Sequence, residues 1–215
     1  MLDGSIDENF IHRAGIVQFG SFSWIQMVPE TIVVGISNID RKRDFTYPSK
    51  NGLDQTEFPT SGGSSYFIKF LETELQPFVA RNFRTTSTST LIGQSLGGLL
   101  ATEILFAKPD LFTNYIIVSP SLWWDNEELL NKEPITSIKE KSIYIAVGKE
   151  GAVMERLAKE LFEKIQNNKE VKTRIYYNFL EDKDHGDALH IPLIKLWNKF
   201  LRVRNKCSYF IPIEI

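Results

Sequence analysis

Short apolar runs of strand length alternate along this chain with longer segments whose apolar residues recur at helical spacing. Runs that are apolar on both sides are typical of parallel sheets covered on both faces, and a spacing of three to four residues is typical of helices. The predicted strands are 30–37, 88–92, 114–119, 142–148 and 172–180. The predicted helices are 9–24, 66–82, 96–108, 127–131, 153–167 and 191–204. This order predicts an α/β fold with a mostly parallel, doubly wound sheet and helices on both faces.

Several segments carry more specific expectations. The helix over 9–24 has enough apolar positions to be buried, and Pro77 is expected to kink or divide the helix over 66–82 near Gln76. The last strand mixes apolar and polar residues, which suits an edge position. The stretch 38–65 is polar and then rich in Pro, Gly and Ser, so a long loop is expected there, and loops of that length are commonly functional.

Composition narrows the class of protein. The 215 residues fit a single domain over 1–215, and 42% apolar with 24% charged residues is typical of globular chains. A net charge of −2 gives no basic face for nucleic acid, and no apolar run approaches the ~20 residues that span a bilayer. The single cysteine, Cys207, excludes intramolecular disulfides and cysteine-based metal clusters.

The most informative stretch is Leu91 to Gly98, which contains Gly-x-Ser-x-Gly around Ser95. In a nucleophile elbow, such a serine sits on a strained turn between a strand and a helix. Gly93 and Gly97 have no Cβ, so the chain on either side of Ser95 can pass closely. The alternative is a serine N-cap in a Gly-rich connection. The β-branched residues before the motif and the helical spacing after it favour a nucleophile.

A serine hydroxyl needs an adjacent base, and the chain has three histidines. The α/β-hydrolase order of serine, acid and histidine favours His185, which follows the last predicted strand. His190 is the fallback, although its place at a helix start directs it less freely toward Ser95. A solvated loop histidine is the alternative reading of His185.

The acid is expected after the strand over 142–148, where Glu150 lies. It would orient His185 and stabilise the imidazolium formed during attack. Glu155 and Asp184 are alternatives, Asp182 is a weaker one, and a Ser–His dyad without an acid stays open.

An oxyanion needs hydrogen-bond donors. The backbone N–H of Leu96, directly after the nucleophile, is one candidate. The second is expected from the loop Asp3-Gly4-Ser5, through the N–H groups of Gly4 and Ser5. Losing one such donor typically costs about 2.7–4 kcal/mol in the barrier.

These motifs together resemble the putative esterase family of the α/β-hydrolases, most closely its branch of enterochelin-type (siderophore trilactone) esterases. The likeness is carried by Leu2-Asp3-Gly4, 33–36 with 40–44, 91–98, Ser119-Pro120-Ser121-Leu122-Trp123-Trp124, Gly148 with Glu150, and His185-Gly186. The resemblance implies an α/β-hydrolase fold and a serine esterase with a Ser-His-Glu triad. It implies hydrolysis of a small-molecule carboxylic ester through an acyl-serine, without metal or cofactor and without nucleic-acid or membrane partners.

The family pattern has first strands upstream of Leu-Asp-Gly, whereas here only Met1 and Leu2 precede Asp3. We therefore expect a fold lacking its first strands, with a gap beside the strand that carries Ser95. Backbone groups left buried and unpaired there would each cost roughly 1–3 kcal/mol. Restored upstream sequence should then raise activity and melting temperature. No signal peptide is visible, which predicts a cytoplasmic protein by default, whereas an N-terminally truncated chain leaves a periplasmic or secreted location open.

Five side chains are candidates for substrate binding. Trp123 and Trp124 follow a strand end and would wall an acyl or aryl pocket, or else pack into the core and over a loop. Arg41 and Arg43 would hold an anionic substrate, or pair with Asp40 and Asp44. Gln94 would form a pocket edge.

Two other functions stay open from the residues alone: acyl transfer to an acceptor other than water, as in the resembling mycolyltransferases, and a catalytically impaired binding domain.

Overall fold

Parallel strands form the sheet in the computed structural model, which describes residues 1–8, 10–135, 137, 139–168 and 173–190. The strands are β1 (Thr90–Gln94), β2 (Asn114–Val118), β3 (Lys141–Gly148) and β4 (Thr173–Leu180), hydrogen-bonded in the order β1-β2-β3-β4. Every pair is parallel. The carboxyl ends of the strands therefore meet at one edge of the sheet, where Ser95 follows β1. Within the described residues β4 is an edge strand, as predicted.

Helices connect these strands. They are α1 (Phe10–Ser21), α2 (Arg41–Phe45), α3 (Gly52–Glu57), α4 (Ser64–Phe70), α5 (Gln76–Asn82), α6 (Leu96–Ala107), α7 (Trp124–Asn131) and α8 (Ala152–Asn167). Short 3₁₀ turns cover Ile6–Glu8 and Pro109–Leu111, and a π-helical turn covers Leu71–Leu75. The predicted helix over 191–204 and Cys207 lie outside the described residues.

Alternation along the strands divides the core into two clusters. Odd-numbered residues of β2, such as Tyr115 and Ile117, pack with buried residues of α6 and α8. Even-numbered residues, such as Ile116 and Val118, pack on the other face with Val17 of α1. Because successive side chains of a strand point to opposite faces, both faces are covered, as the continuous apolar runs predicted.

The segment 1–4 lies beside β1, where the sequence predicted a gap. The N–H of Leu2 donates to Ile92 O at 3.0 Å, and the N–H of Gly4 donates to Ile36 O at 2.9 Å. The N–H of Ile36 in turn donates to Met1 O at 3.0 Å. The Met1 amino group also donates to Val34 O at 3.0 Å. The strand predicted over 30–37 is nevertheless not an assigned element of the sheet, because within the described residues the backbone bonds of this stretch to 1–4 are confined to Val34 and Ile36. These bonds satisfy part of the polar backbone next to β1.

Two further expectations are corrected. The first helix is not buried: Val17 and Gly20 are its buried residues, whereas Ile11 is 67% and Phe19 is 55% exposed. The stretch 38–65 is not a plain loop but contains α2 and α3. Asx capping explains both short helices.

Asp40 caps α2 by accepting from the N–H of Arg43, and Asn51 caps α3 by accepting from the N–H of Leu53. These side-chain bonds compensate for the weak apolar periodicity of the stretch.

Pro77 divides the predicted helix as expected. Residues 64–82 stay helical, but the π-helical turn Leu71–Leu75 separates α4 from α5 immediately before Gln76. Because proline has no N–H, the ladder loses one donor at this point, and local π geometry is a common response inside helices.

No helix in the described part of the chain is both long enough and apolar enough to cross a membrane.

Candidate active site

The turn between β1 and α6 has the strained geometry of a nucleophile elbow. Ser95 has φ 60° and ψ −122°, a backbone conformation that is uncommon for a residue with a side chain. A Cβ on Gly93 would lie 2.2 Å from Gly97 O, so this position requires glycine. The elbow predicted from the sequence is confirmed in its backbone geometry.

Three backbone bonds fix Ser95 in the turn. Its N–H donates to Val118 O at 3.1 Å, and its carbonyl accepts from the N–H groups of Leu99 and Ser121 at 3.0 and 3.1 Å. The Ser95 hydroxyl lies 3.3 Å from the Ser121 hydroxyl. Among the described residues, Ser121 is the hydrogen-bond partner of Ser95 Oγ. Ser95 Oγ makes no hydrogen bond to His185 in this geometry. Catalytic bonds of this kind are often long without substrate and tighten in the complex.

His185 and Glu150 form a close pair. His185 Nδ1 lies 2.5 Å from Glu150 Oε2. The side chain of Glu150 is 4% exposed, whereas that of His185 is 49% exposed. The acid is therefore buried behind the imidazole, and the far ring nitrogen, Nε2, stays available to a nucleophile.

The alternative acids and the alternative base are occupied elsewhere. Glu155 accepts from the N–H groups of Glu150 and Gly151, so it caps the start of α8. Asp184 Oδ1 accepts from the N–H of Gly186 at 2.8 Å. His190 stacks on His12, with ring nitrogens 2.8 Å apart. The structure thus brings Glu150, rather than these carboxylates, to His185.

Glu150 has a further partner that the sequence did not point to. Its Oε1 accepts from the N–H of Gly148 at 2.9 Å and from the hydroxyl of Ser119. Ser119 belongs to the Ser-Pro-Ser-Leu-Trp-Trp segment, but no side-chain role could be read from that motif. The acid is thereby held from the ends of both β2 and β3.

These bonds shift the pKa values of the pair in opposite directions. Burial alone would raise the pKa of the Glu150 carboxyl, but hydrogen bonds from His185, Ser119 and Gly148 outweigh it and lower that pKa. The bond with Glu150 raises the pKa of His185 above its ordinary value, against the opposing effects of burial and of Arg41. Glu150 therefore stays ionised and His185 is a stronger base than a free imidazole.

The predicted second oxyanion donors already have acceptors. The N–H of Gly4 donates to Ile36 O, and the N–H of Ser5 donates to Glu8 Oε2 at 3.2 Å. The loop Asp3-Gly4-Ser5 therefore does not offer a second donor in this geometry. Leu96 begins α6 directly after Ser95, as expected for the first donor.

The two arginines form ion pairs rather than lining the cavity. Arg41 contacts both carboxylate oxygens of Asp3, at 2.5 and 3.1 Å, and reaches Gln94 O at 3.3 Å. Arg43 contacts Asp44 at 2.8 Å. This favours the alternative in which Arg43 pairs with a neighbouring aspartate, while Arg41 connects the N-terminal segment to the elbow.

An open cavity of about 580 Å³ joins the candidate residues. It is lined by Ser95, Ser121, Trp123, Lys149, Glu150, Met154, Asp184 and His185. The two tryptophans separate here: Trp123 lines the cavity, whereas Trp124 is fully buried and donates through Nε1 to Tyr47 O at 2.9 Å. Trp124 is therefore a core residue and not a pocket wall.

Gln94 holds the histidine loop. Its Nε2 donates to the carbonyl oxygen of His185 at 2.5 Å, so this side chain connects the residue before the nucleophile to the base. The expectation of a pocket edge is replaced by this loop contact, because the amide already has a partner.

In the part of the chain that the structure describes, no group of three or more His, Cys, Asp or Glu side chains is arranged to hold a metal ion.

Comparison with known proteins agrees with this fold. The model of the family described as "Putative esterase" matches residues 1–188. The ferri-bacillibactin esterase BesA of Bacillus subtilis is 31% identical over 170 residues, which is 72% of this chain and 58% of that protein. A siderophore enterobactin esterase of Emericella nidulans is 37% identical over 90 residues, 40% of this chain and 30% of that protein. The chain thus spans less than two thirds of these relatives' length.

Solved structures show the same architecture. The BES protein from Bacillus cereus superimposes with a TM-score of 0.76 at 28% identity, covering 92% of this chain and 79% of that one. An IroE-like serine hydrolase from Shewanella oneidensis gives a TM-score of 0.78 at 27% identity, covering 92% of this chain and 67% of that one.

Because the family model covers most of the chain, from residue 1 to residue 188, and the sheet and elbow agree with it, this chain belongs to the putative esterase family and has the α/β-hydrolase fold.

Proposed function

We propose that this chain is a serine esterase that hydrolyses a carboxylic ester through an acyl-serine intermediate. The observation that carries the proposal is a single cavity that contains an elbow serine, Ser95, and a histidine, His185, backed by the buried carboxylate Glu150. Family membership supports ester hydrolysis as the reaction class.

In the first half-reaction, Ser95 Oγ attacks the ester carbonyl carbon and passes its proton to His185 Nε2. Glu150 stabilises the imidazolium through Nδ1. The N–H of Leu96 donates to the developing oxyanion, and the positive end of α6 adds to this stabilisation. Collapse of the tetrahedral intermediate breaks the ester C–O bond, and the departing alcohol takes the proton from His185.

In the second half-reaction, water attacks the acyl-serine and His185 takes its proton. The second tetrahedral intermediate releases the carboxylic acid, and the proton returns to Ser95. The reaction needs His185 to come within hydrogen-bond distance of Ser95, and we expect bound substrate to bring this closure about.

The substrate class proposed is a siderophore-type ester, a small molecule. Relatives named for ferri-bacillibactin, triacetylfusarinine C and enterobactin support this choice. The cavity fits a bulky substrate with apolar and anionic parts, since Trp123 and Met154 supply apolar surface and Lys149 supplies a cation at its lining.

Burst release of p-nitrophenol from a short-chain ester tests the reaction. The chain should give a burst equal to the enzyme concentration, and Ser95→Ala should abolish it. A burst that survives Ser95→Ala removes Ser95 from the mechanism. Ser21→Ala is the matched control, because the Ser21 hydroxyl only donates to Gln18 O on α1.

A substrate panel tests the class. It compares a trilactone siderophore, its ferric complex, feruloyl esters and acetylated sugars by kcat/KM. The trilactone should be the best substrate, and preference for a feruloyl ester or an acetylated sugar would contradict the proposed class while leaving the esterase mechanism intact.

A further inference from the structure

Ser119 stands out among the buried polar residues because it touches the acid of the site without lining the cavity. It follows β2 directly and is fully buried. Its N–H donates to Ala146 O at 2.7 Å, so its backbone is tied to β3. Its hydroxyl donates to Glu150 Oε1.

The Glu150 carboxylate is held through both of its oxygens. Oε1 accepts from Ser119 and from the N–H of Gly148, and Oε2 faces His185 Nδ1. A carboxylate bound through one oxygen alone can rotate about its last side-chain bond, whereas donors on both sides fix its plane. The Ser119 hydroxyl supplies one of the two donors that fix Oε1.

The backbone at Ser119 is strained. Its φ is 45°, in the left-handed region that favours glycine, and it precedes Pro120. Non-glycine residues persist in such conformations where the surrounding structure imposes them, often next to functional sites. Glycine would relieve the strain but would lose the hydroxyl, so the strain and the hydrogen bond can be separated by substitution.

We propose that Ser119 is a positioning residue, whose hydroxyl directs the Glu150 carboxylate toward His185 and so supports base catalysis by that histidine. This inference rests on the proposed function, since it assigns His185 and Glu150 their catalytic roles. Ser119 does not line the cavity, so its effect should appear in kcat and not in KM.

Two variants test it together. Ser119→Ala removes the hydroxyl and keeps the left-handed strain, whereas Ser119→Gly removes the hydroxyl and relieves the strain. Both should lower kcat about 10- to 100-fold with KM unchanged, the range for losing a hydrogen bond to a charged group. The melting temperature of Ser119→Gly should exceed that of Ser119→Ala, because glycine adopts a positive φ readily.

The proton between His185 and Glu150 gives a second readout. In the wild type, the Nδ1–H of His185 should give a far-downfield proton resonance, assigned by its loss in His185→Ala. It should move upfield or broaden in both Ser119 variants. This measurement needs no substrate, so it still tests Ser119 if the proposed esterase activity fails in the Ser95→Ala experiment.

Ser64→Ala is the matched control. Ser64 is also fully buried, and its hydroxyl also donates to a carboxylate, Glu103 Oε1, at 3.0 Å. This variant should alter stability but leave kcat and the His185 resonance as in the wild type. The proposal is overturned if kcat follows melting temperature across the three variants, or if the Ser119 variants retain wild-type kcat and resonance.

Discussion

The two halves of the candidate site differ in how completely they are assembled. In the base half, His185, Glu150 and Ser119 form a continuous chain of hydrogen bonds. In the nucleophile half, Ser95 contacts Ser121 rather than His185, and the N–H groups of Gly4 and Ser5 have other acceptors. The imidazole and its carboxylate are therefore already paired, whereas Ser95 Oγ bonds to Ser121 and the candidate oxyanion donor beside it is the N–H of Leu96.

The difference has a physical cause. The base half is built on the ends of β2 and β3 and on the loop after β4, which are fixed by neighbouring parallel strands. The nucleophile half borders the segment 1–4, which joins the sheet through a few backbone bonds. The geometry next to β1 thus depends on fewer contacts than the geometry next to β3.

The largest effect is expected from breaking the base half. Glu150→Gln should lower kcat/KM about 10³- to 10⁴-fold, because the imidazolium loses its counter-charge and its orientation. As a base, His185 must be unprotonated. Because its pKa is raised, wild-type activity should be lost on acidification at a higher pH than for a histidine of ordinary pKa. Without the carboxylate this pKa falls, so the residual activity should persist to lower pH in a pH–rate profile.

Glu155→Gln is the control for that experiment. Glu155 is a nearby glutamate that caps α8 and does not contact His185. Its variant should keep kcat/KM within a few-fold of the wild type, with the pH profile unchanged. A Glu150→Gln enzyme within tenfold of the wild type would favour the Ser–His dyad.

The next effect concerns the helix behind the nucleophile. Burial raises the pKa of Glu103 on α6 to about 7, although the Ser64 hydroxyl opposes this. Between the ordinary pKa of 4.5 and about 7 the folded chain binds more protons than the unfolded chain, so stability falls as pH rises through that window. Stability should drop by about 3 kcal/mol at most by pH ~9, the product of the shift and 1.36 kcal/mol per unit.

Denaturant unfolding at pH 5, 7 and 9 measures this dependence. Glu103→Gln cannot ionise and should show a smaller drop than the wild type over the same range. If the free energy of unfolding changes equally with pH in the two proteins, ionisation of Glu103 does not destabilise the fold.

A smaller effect is expected from the link between the segment 1–4 and the elbow. Asp3→Asn removes the carboxylate that Arg41 contacts through two nitrogens. Stability should fall by about 1–2 kcal/mol, because charge-assisted hydrogen bonds are lost but the Arg41 side chain is 34% exposed and water partly solvates it. kcat should fall as well, because Arg41 also bonds to Gln94 O beside the nucleophile.

Arg43→Gln serves for comparison, since the Arg43 side chain is 50% exposed and its buried partner Asp44 also accepts from Asn38 Nδ2 at 3.0 Å. It should leave both melting temperature and kcat near the wild-type values. If it alters KM for an anionic ester, the original interpretation of Arg43 as a substrate contact is restored.

The smallest effect is expected at the hydrogen bond between Gln94, next to the nucleophile, and the carbonyl oxygen of His185. Gln94→Met keeps the side-chain length but removes the donor to His185 O. Loss of one neutral hydrogen bond, about 0.5–1.5 kcal/mol, corresponds to a decrease in kcat of about 2- to 10-fold. Steady-state kinetics measure this decrease in kcat. If the melting temperature is unchanged, the decrease is assigned to a shift of the loop that carries His185. Unchanged kcat would show that the loop holds its position without Gln94.

Sequence reasoning recovered most of the sheet but not its first edge. Continuous apolar runs predicted β2 and β3, which are buried on both faces, while β-branched residues before the elbow predicted β1 and a mixed pattern predicted β4 as an edge strand. The rule for apolar runs also predicted a strand over 30–37, which is not assigned because within the described residues its backbone bonds to the segment 1–4 are confined to Val34 and Ile36. Local periodicity likewise predicted the first helix but not its exposure, which depends on what packs against it.

The sequence by itself determined the class of fold and the backbone of the elbow at Ser95, and it pointed to His185 and Glu150 as candidate partners with other acids left open. Those features follow from local backbone requirements, such as glycine at position 93, and from chain order in a parallel sheet. Only the tertiary structure decided that Trp124 is a core residue, that Gln94 holds the His185 loop, and that Ser119 holds Glu150. Each of these contacts joins residues from separate strands or loops, so its geometry is set by packing across the sheet and not by spacing along the chain.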